Sequence, residues 1–127
     1  MEKLSFVIPC YKSEYTIESV AGEINSLMAS HPEYDYETIL VNDCSPDNVW
    51  EKISALHNAD PSRVKAINLA KNFGQHSALM AGYNICTGDY VVTIDDDGQT
   101  PVDEVFKLLS KITVRGGGMM LFTECMK

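Results

Sequence analysis

Gly88-Asp89-Tyr90-Val91-Val92-Thr93-Ile94-Asp95-Asp96-Asp97-Gly98-Gln99 is the stretch that decides how this chain is read. Tyr90 to Ile94 is a short run rich in β-branched residues and apolar on both faces, as in the interior of a parallel sheet. Three adjacent acids close it. They repel one another unless solvated or bridged by a cation. Hard cations such as Mg²⁺ or Mn²⁺ prefer oxygen ligands, typically one or two carboxylates with phosphate oxygens. Strand alternation puts Asp95 and Asp97 on one side and turns Asp96 away. Gly98 lets the chain turn, and Gln99 can add an amide oxygen. The competing account is a solvated acidic turn ahead of a helix.

Upstream the pattern alternates. Leu4 to Pro9 is an apolar run read as a strand. Ser13 is placed to cap a helix reaching about Ser30, with Ile17, Val20, Ala21, Ile24, Leu27 and Met28 on one stripe. Tyr36 to Val41 is a second strand. The polar loop Asn42 to Asp47 follows, and Pro46 suits the first turn of a helix carrying Val49, Ile53 and Leu56. Val64 to Leu69 is a third strand. A helix from Gln75 to Cys86 buries Ala78, Leu79, Gly82 and Ile85, with Gly88 as its C-terminal cap. Downstream, Thr100, Pro101 and Asp103 read as a helix start for Val102, Val105, Phe106, Leu109 and Ile112. Strand and helix thus alternate four times. The expected fold class is α/β, Rossmann-like, with a mainly parallel sheet and helices on both faces.

Composition bounds the partners. The 127 residues suit one domain, and 45% apolar with 22% charged residues is ordinary for a globular chain. Eighteen acids against ten bases leave a net charge of −8. That field repels nucleic acid and anionic membranes, so an anionic small molecule needs a local cation or backbone donors. Cys10, Cys44, Cys86 and Cys125 show no metal-site spacing, and reduced thiols in a cytoplasmic setting are expected. No signal-peptide pattern opens the chain, and no apolar run nears the roughly 18 residues that cross a bilayer.

In open α/β sheets ligands bind beyond the carboxyl ends of the strands. Four polar loops are expected there: Pro9 to Glu14, Asn42 to Asp47, Ala70 to His76, and Asp95 to Gln99. Asp43 could accept a hydrogen bond from a nucleobase imide or a ribose hydroxyl, or could serve an Asx-turn or helix cap, a job shared with Ser45 and Asp47. Tyr11 could stack on a base or simply pack. Glu14 could bond ribose, although an acid in a first helical turn is expected from the macrodipole alone. Lys71 and Asn72 precede Gly74 at a helix start, where a cation beside free N–H groups suits phosphate. His76 has no second ligand at metal spacing and is read as structural. His31 and His57, late in their helices, receive no function.

Four motifs now stand in order: Phe6-Val7-Ile8-Pro9-Cys10-Tyr11-Lys12, Leu40-Val41-Asn42-Asp43-Cys44-Ser45-Pro46-Asp47, Lys71-Asn72-Phe73-Gly74, and Gly88-Asp89-Tyr90 through Asp97-Gly98-Gln99. Together they resemble the family 2 glycosyltransferases of GT-A fold, in particular the polyprenyl-phosphate sugar transferases such as dolichyl-phosphate mannose synthase. The resemblance covers about Leu4 to Ile112. It implies an inverting, metal-assisted sugar transfer from a UDP- or GDP-linked donor to a polyprenyl phosphate or glycan acceptor, in cell-envelope polysaccharide synthesis. It also implies Mg²⁺ or Mn²⁺ at Asp95, Asp97 and Gln99. Pro9, Tyr11, Glu14 and Asp43 would contact the nucleoside, with Lys71, Asn72 and the acids Asp95 and Asp96 beside the donor. Gly98 departs from the branch, which more often carries a bulky apolar residue there. The acceptor half, any catalytic base and any membrane-associated segment are expected beyond this chain, with the longer protein on the cytoplasmic face of a membrane.

Two rivals remain open. Ile94-Asp95-Asp96-Asp97-Gly98 also resembles the nucleophile motif of haloacid-dehalogenase phosphohydrolases, which usually ends the first strand rather than the fourth. A non-catalytic nucleotide-binding domain that forms a homodimer is the other. The domain is expected over 1–112, with 113–127 as an atypical tail. A one-base frame shift near Met119 and Met120 would restore a turn and strand, so a frameshifted or truncated gene is one account and a natural flexible tail the other.

Overall fold

The computed structural model describes residues 1–98 together with the short strand Phe122–Thr123. β1 (Lys3–Cys10), α1 (Ile17–Ala29), β2 (Asp35–Asn42), α2 (Val49–Ala59), β3 (Val64–Asn68), α3 (Gln75–Ile85) and β4 (Tyr90–Thr93) follow in alternation, and β5 is Phe122–Thr123. The sheet order is β3-β2-β1-β4-β5. β1 to β4 are parallel, with Leu4 opposite Tyr36 on one side and opposite Tyr90 on the other. β5 runs antiparallel to β4, Val92 opposite Phe122. The helix expected from Thr100, the boundary at 112, Gln99 and most of the tail lie outside the described residues.

The α/β class holds, with helices on both faces. Even-numbered β1 residues Leu4, Phe6, Ile8 and Cys10 meet Ile17, Val20 and Ile24 of α1 and Val49 and Ile53 of α2. Val7, Ile39, Val41 and Val91 meet Ala78 of α3. Alternation sorts β1 between the two layers, and each fully buried aliphatic or Phe side chain contributes about 1.5–3 kcal/mol. α3 sits close because residue 82 lacks a side chain; a Cβ there would collide with Val7 Cγ1.

Local capping differs from expectation at three places. α1 starts at Ile17, and the Ser13 carbonyl, not its hydroxyl, accepts Thr16 N–H and Ile17 N–H. Pro46 stays in the loop, and α2 starts at Val49, whose N–H goes to Asp47 Oδ1 at 3.2 Å. α3 ends at Ile85 with an extended Cys86, so Gly88 is not its cap. Gly88 is required by space: a Cβ would lie 2.6 Å from Ser5 Oγ and 2.9 Å from both Lys3 O and Ser5 N. Backbone atoms cannot yield as a side-chain tip can. Gly88→Ala is therefore expected to destabilise the chain by about 2 kcal/mol, as overpacking does. Urea unfolding should show a lower midpoint at unchanged m-value.

The turn at Gly88 is fastened to a buried polar knot at the amino edge of the sheet. Ser5 and Glu37 lie opposite each other in the β1–β2 register. Ser5 Oγ donates to Glu37 Oε2 at 2.5 Å and accepts from Gly88 N–H at 2.9 Å. Thr87 N–H donates to the same Oε2 at 2.6 Å, and Lys65 Nζ stands 2.6 Å from Oε1. Lys3 Nζ lies 3.8 Å from Oε1. Lys3 and Asp89 exchange two further bonds, Lys3 N–H to Asp89 Oδ2 at 2.9 Å and Asp89 N–H to Lys3 O at 2.7 Å. Two histidines likewise serve the scaffold: His57 Nδ1 is 2.6 Å from Val64 O, and His31 Nδ1 is 3.1 Å from Leu27 O.

Candidate functional site

The sheet order decides where a ligand can enter. β2 and β3 step away from β1 on one side, and β4 then returns to its other side. The strand order reverses between β1 and β4, and open α/β sheets bind ligands in that crevice, beyond the carboxyl ends. The sequence supplies β1 with Pro9 to Lys12 at this end and β4 with Asp95 to Asp97.

The loops here are stitched to each other. Asp43 N–H donates to Cys10 O at 3.0 Å, Lys12 N–H to Ser45 Oγ at 2.7 Å, and Glu14 N–H to Asp47 Oδ2 at 3.1 Å. Asn42 Oδ1 accepts Ser45 N–H at 3.1 Å, three residues on, so the local side-chain bond in this loop is made by Asn42 and not by Asp43. Lys12 and Cys44 both hold positive φ, 56° and 53°. Left-handed conformations cost non-glycine residues on the order of 1 kcal/mol each, and the cross-loop bonds offset that. Burial works against ionisation of Asp47, but the Ser45 hydroxyl and the Glu14 and Val49 N–H groups prevail and hold its carboxyl below the usual value.

Asp43 is buried, and its partners are distant in sequence. Its Oδ1 accepts Phe73 N–H at 2.8 Å and its Oδ2 accepts Gly74 N–H at 3.0 Å. Gly74, at φ 96°, leads directly into α3. Two of the backbone donors at this helix start, beside Lys71 and Asn72, thus already hold an internal carboxylate. A helix start suits an anion, and here the anion is Asp43. Each of its oxygens keeps acceptor capacity toward the cleft.

The acids after β4 do not continue the strand's alternation. β4 ends at Thr93, with one more bond from Ile94 N–H to Val7 O, and Asp96 and Asp97 lie in a turn. Asp96 does not point away from the cleft. Its Oδ2 accepts Tyr11 N–H at 2.8 Å, and its carbonyl accepts Thr16 Oγ1–H at 2.6 Å. Asp95 and Asp97 are exposed. Gly98 holds φ 80°, a turn that β-carbons resist.

Between these loops lies a cleft of about 430 Å³. Pro9, Tyr11, Asp43, Asn72, Asp95 and Asp97, all named from sequence, line it, and so does Asp96, which strand alternation had turned away. Glu14 and Lys71 do not. Glu14 is half-buried with its N–H turned to Asp47, and Lys71 is exposed. Cys10, Gly74 and Gln75 line it as well and were not expected. The position of Cys10 straight after Pro9 was the signal available for it. Burial, and then the charge of Asp96, push its thiol far above the ordinary range, so it is no nucleophile. Tyr11 is 41% exposed, and Lys12 Nζ lies 5.5 Å from its ring centroid. Ring and ammonium together offer an apolar face with a cation at its edge.

Among the described residues no three His, Cys, Asp or Glu side chains are grouped to hold a metal. Two hard carboxylates, Asp95 and Asp97, still suit a cation that takes one or two protein oxygens and completes its shell with phosphate and water. The donor chemistry therefore fits Mg²⁺ or Mn²⁺ brought in with a diphosphate.

A parallel sheet with a cleft at its strand-order reversal defines an open α/β domain with a ligand crevice at the carboxyl edge of its sheet. Among solved structures, the mannosyltransferase PcManGT from Pyrobaculum calidifontis, in complex with GDP-Man and Mn²⁺, matches with a TM-score of 0.70 at 19% identity, over 83% of this chain and 30% of that one. S. aureus TarS 1-349 in complex with UDP matches with a TM-score of 0.63 at 22% identity, over 87% of this chain and 32% of that one. The undecaprenyl-phosphate 4-deoxy-4-formamido-L-arabinose transferase of Yersinia enterocolitica is 39% identical over 110 residues, 87% of this chain and 33% of the relative. The enzyme of the same description from Proteus mirabilis is also 39% identical over 110 residues. The model of glycosyl transferase family 2 matches residues 5–119, and the chain belongs to that family. It spans about a third of the length of these curated relatives. The phosphohydrolase rival is set aside: β1 ends in Pro9-Cys10 without an acid, and the acids close β4.

Among the described residues no helix is long and apolar enough to cross a membrane.

Proposed function

We propose that this chain is the donor-binding part of an inverting glycosyltransferase, which passes a sugar from a UDP- or GDP-linked donor to a lipid phosphate, of polyprenyl type, or to a saccharide. The observation that carries the reading is the meeting of Tyr11, Asp43 and the acids Asp95 to Asp97 around one cleft at the strand-order reversal. The 39% identity to undecaprenyl-phosphate sugar transferases supports the lipid-phosphate acceptor and a role in cell-envelope synthesis. Because the chain covers about a third of those relatives, donor binding is proposed for this chain and transfer for the whole protein. The proposal includes work at the cytoplasmic face of a membrane and self-association as a homodimer.

Each residue has a task. Tyr11 stacks the nucleobase, and Pro9 shapes the floor beside it. Asp43 accepts from the base or ribose with the capacity left over from Phe73 and Gly74. Asn72, carried on the loop that Asp43 secures, faces the donor. Asp95 and Asp97 hold Mg²⁺ or Mn²⁺, with Gln99 as a proposed third oxygen donor. The cation supplies Lewis-acid stabilisation of the diphosphate leaving group. A lipid phosphate is already anionic and needs little general-base help.

Thermal unfolding of the chain with UDP and with GDP, each with and without Mn²⁺, tests this. One nucleoside diphosphate is expected to raise the melting temperature only when Mn²⁺ is present. No rise with either, at millimolar nucleotide and Mn²⁺, would remove the proposal.

A further inference from the structure

We infer that Asp96 is a positioning residue, which fixes the metal-binding acids and the nucleoside platform at one spacing, and that it does so as a hydrogen-bond acceptor and not as a ligand. It rests on the donor-site reading above for the identity of the nucleotide, but not for the bonds themselves. Asp95 and Asp97 follow β4, and Tyr11 follows β1. The two strands pair through Val7 opposite Thr93, and Ile94 N–H adds the last ladder bond, to Val7 O. Beyond that bond no ladder holds the two loops. Asp96 spans this gap twice: its side chain takes Tyr11 N–H at 2.8 Å, and its carbonyl takes Thr16 Oγ1–H at 2.6 Å. One bond sets the height of the Tyr11 backbone against the acidic turn. The other ties that turn to the residue preceding α1.

The bond to Tyr11 has a further effect. It sits directly before Lys12, whose φ of 56° is held by Ser45 at its N–H. The β1–α1 loop is thus gripped on successive residues by β4's turn and by β2's loop. A nucleoside diphosphate that engages Tyr11 at one end and a cation at the other needs those points at a constant distance, and a misplacement of about 1 Å can cost on the order of a hundredfold in a reaction that depends on it.

Acceptance of an N–H requires an oxygen, not a charge. Asparagine at 96 keeps the oxygen and loses the charge, and alanine loses both. Thr16→Val removes the second bond and leaves all three acids in place. The full 127-residue chain and these three variants are titrated with Mn²⁺ alone, read by electron paramagnetic resonance of the free ion. They are then titrated with GDP and UDP in saturating Mn²⁺ by calorimetry. Amide exchange of Tyr11 is followed by NMR on the same samples. Asp96→Ala is expected to bind Mn²⁺-nucleotide about tenfold more weakly and to exchange the Tyr11 amide about tenfold faster, as loss of a charge-assisted bond implies. Asp96→Asn should stay within about threefold of the parent, Thr16→Val should weaken nucleotide about threefold, and Mn²⁺ alone should bind Thr16→Val as it binds the parent and the two Asp96 variants like each other, weakened only by the loss of one neighbouring charge.

Asp96→Asn as poor as Asp96→Ala toward nucleotide, or Mn²⁺ binding abolished in both, would make Asp96 a ligand and overturn the inference. If the parent binds neither nucleotide, the donor-site reading fails, and Tyr11 exchange still decides: an unchanged rate in Asp96→Ala ends the inference. Should Asp96→Ala fail to fold, two readouts still decide: a Tyr11 amide in the parent that exchanges as fast as an unprotected one, or parent-like nucleotide affinity in Thr16→Val, would overturn the claim.

Discussion

Asp97→Ala is expected to abolish the Mn²⁺-dependent stabilisation by nucleoside diphosphate, with the unliganded melting temperature almost unchanged. A ligand at a hundred times its dissociation constant stabilises by about 2.7 kcal/mol. For a domain this size that is a rise of about 10 °C. A divalent cation held by two carboxylates loses one of its two anionic protein ligands when Asp97 is removed, and affinity should fall by about a hundredfold or more, which erases the rise. The unliganded protein tells the two roles apart. Asp97 is exposed in a turn, where a solvated side chain contributes little to stability, so its loss should cost the fold little. A chelator added to the parent should reproduce the variant. A nucleotide-induced rise that survives in Asp97→Ala would show that the acids after β4 are not what binds the diphosphate.

Glu37→Gln is expected to lower stability by about 3 kcal/mol at pH 7, the cost of breaking a buried ion pair, with a fall of roughly 10 °C in melting temperature. Its side chain is 1% exposed. Burial alone would raise its pKa, but the bonds from Lys65, Ser5 and Thr87 N–H, with the nearby charge of Lys3, outweigh burial and hold the carboxyl below 4.5. The sign follows. A carboxyl with a depressed native pKa stabilises the fold fully above its unfolded value and loses that stability as pH falls through the native one. Urea midpoints of parent and variant should therefore differ fully at neutral pH and converge below about pH 4.5. A gap that stayed constant down to pH 3 would show that the charge of Glu37 does no stabilising.

Much of the fold could be read because its signals are local. The β-branched runs placed β1 to β4 within a residue or two, and the Ile17-Val20-Ile24-Met28 stripe placed α1. The loops expected at one sheet edge do meet there, since parallel strands put every carboxyl end on the same side. What escaped was set by partners remote in the chain. Asp43 meets Phe73 from 30 residues away, so its own loop could not show that it fills a helix start. Gly88 has the residue type of a cap, and only the nearness of Ser5 and Lys3 reveals that it serves clearance. Asp96 was turned the wrong way by extending a pleat that stops at Thr93. Glu37 stood in plain view, an acid inside the apolar run from Tyr36 to Val41, and passed as an ordinary strand residue.

The carboxylate lodged at the head of α3 has a consequence for control. Folds that seat pyrophosphate on a helix start can work in metal-poor surroundings, because amide groups neutralise the anion for them. In this chain two amides at that start are held by Asp43, and the cleft's remaining acids are unwelcoming to a bare polyphosphate. On the proposed function, occupancy would therefore follow the free divalent-ion level more steeply than the supply of donor. Sequestering the ion, rather than competing with the nucleotide, would be the sharper brake.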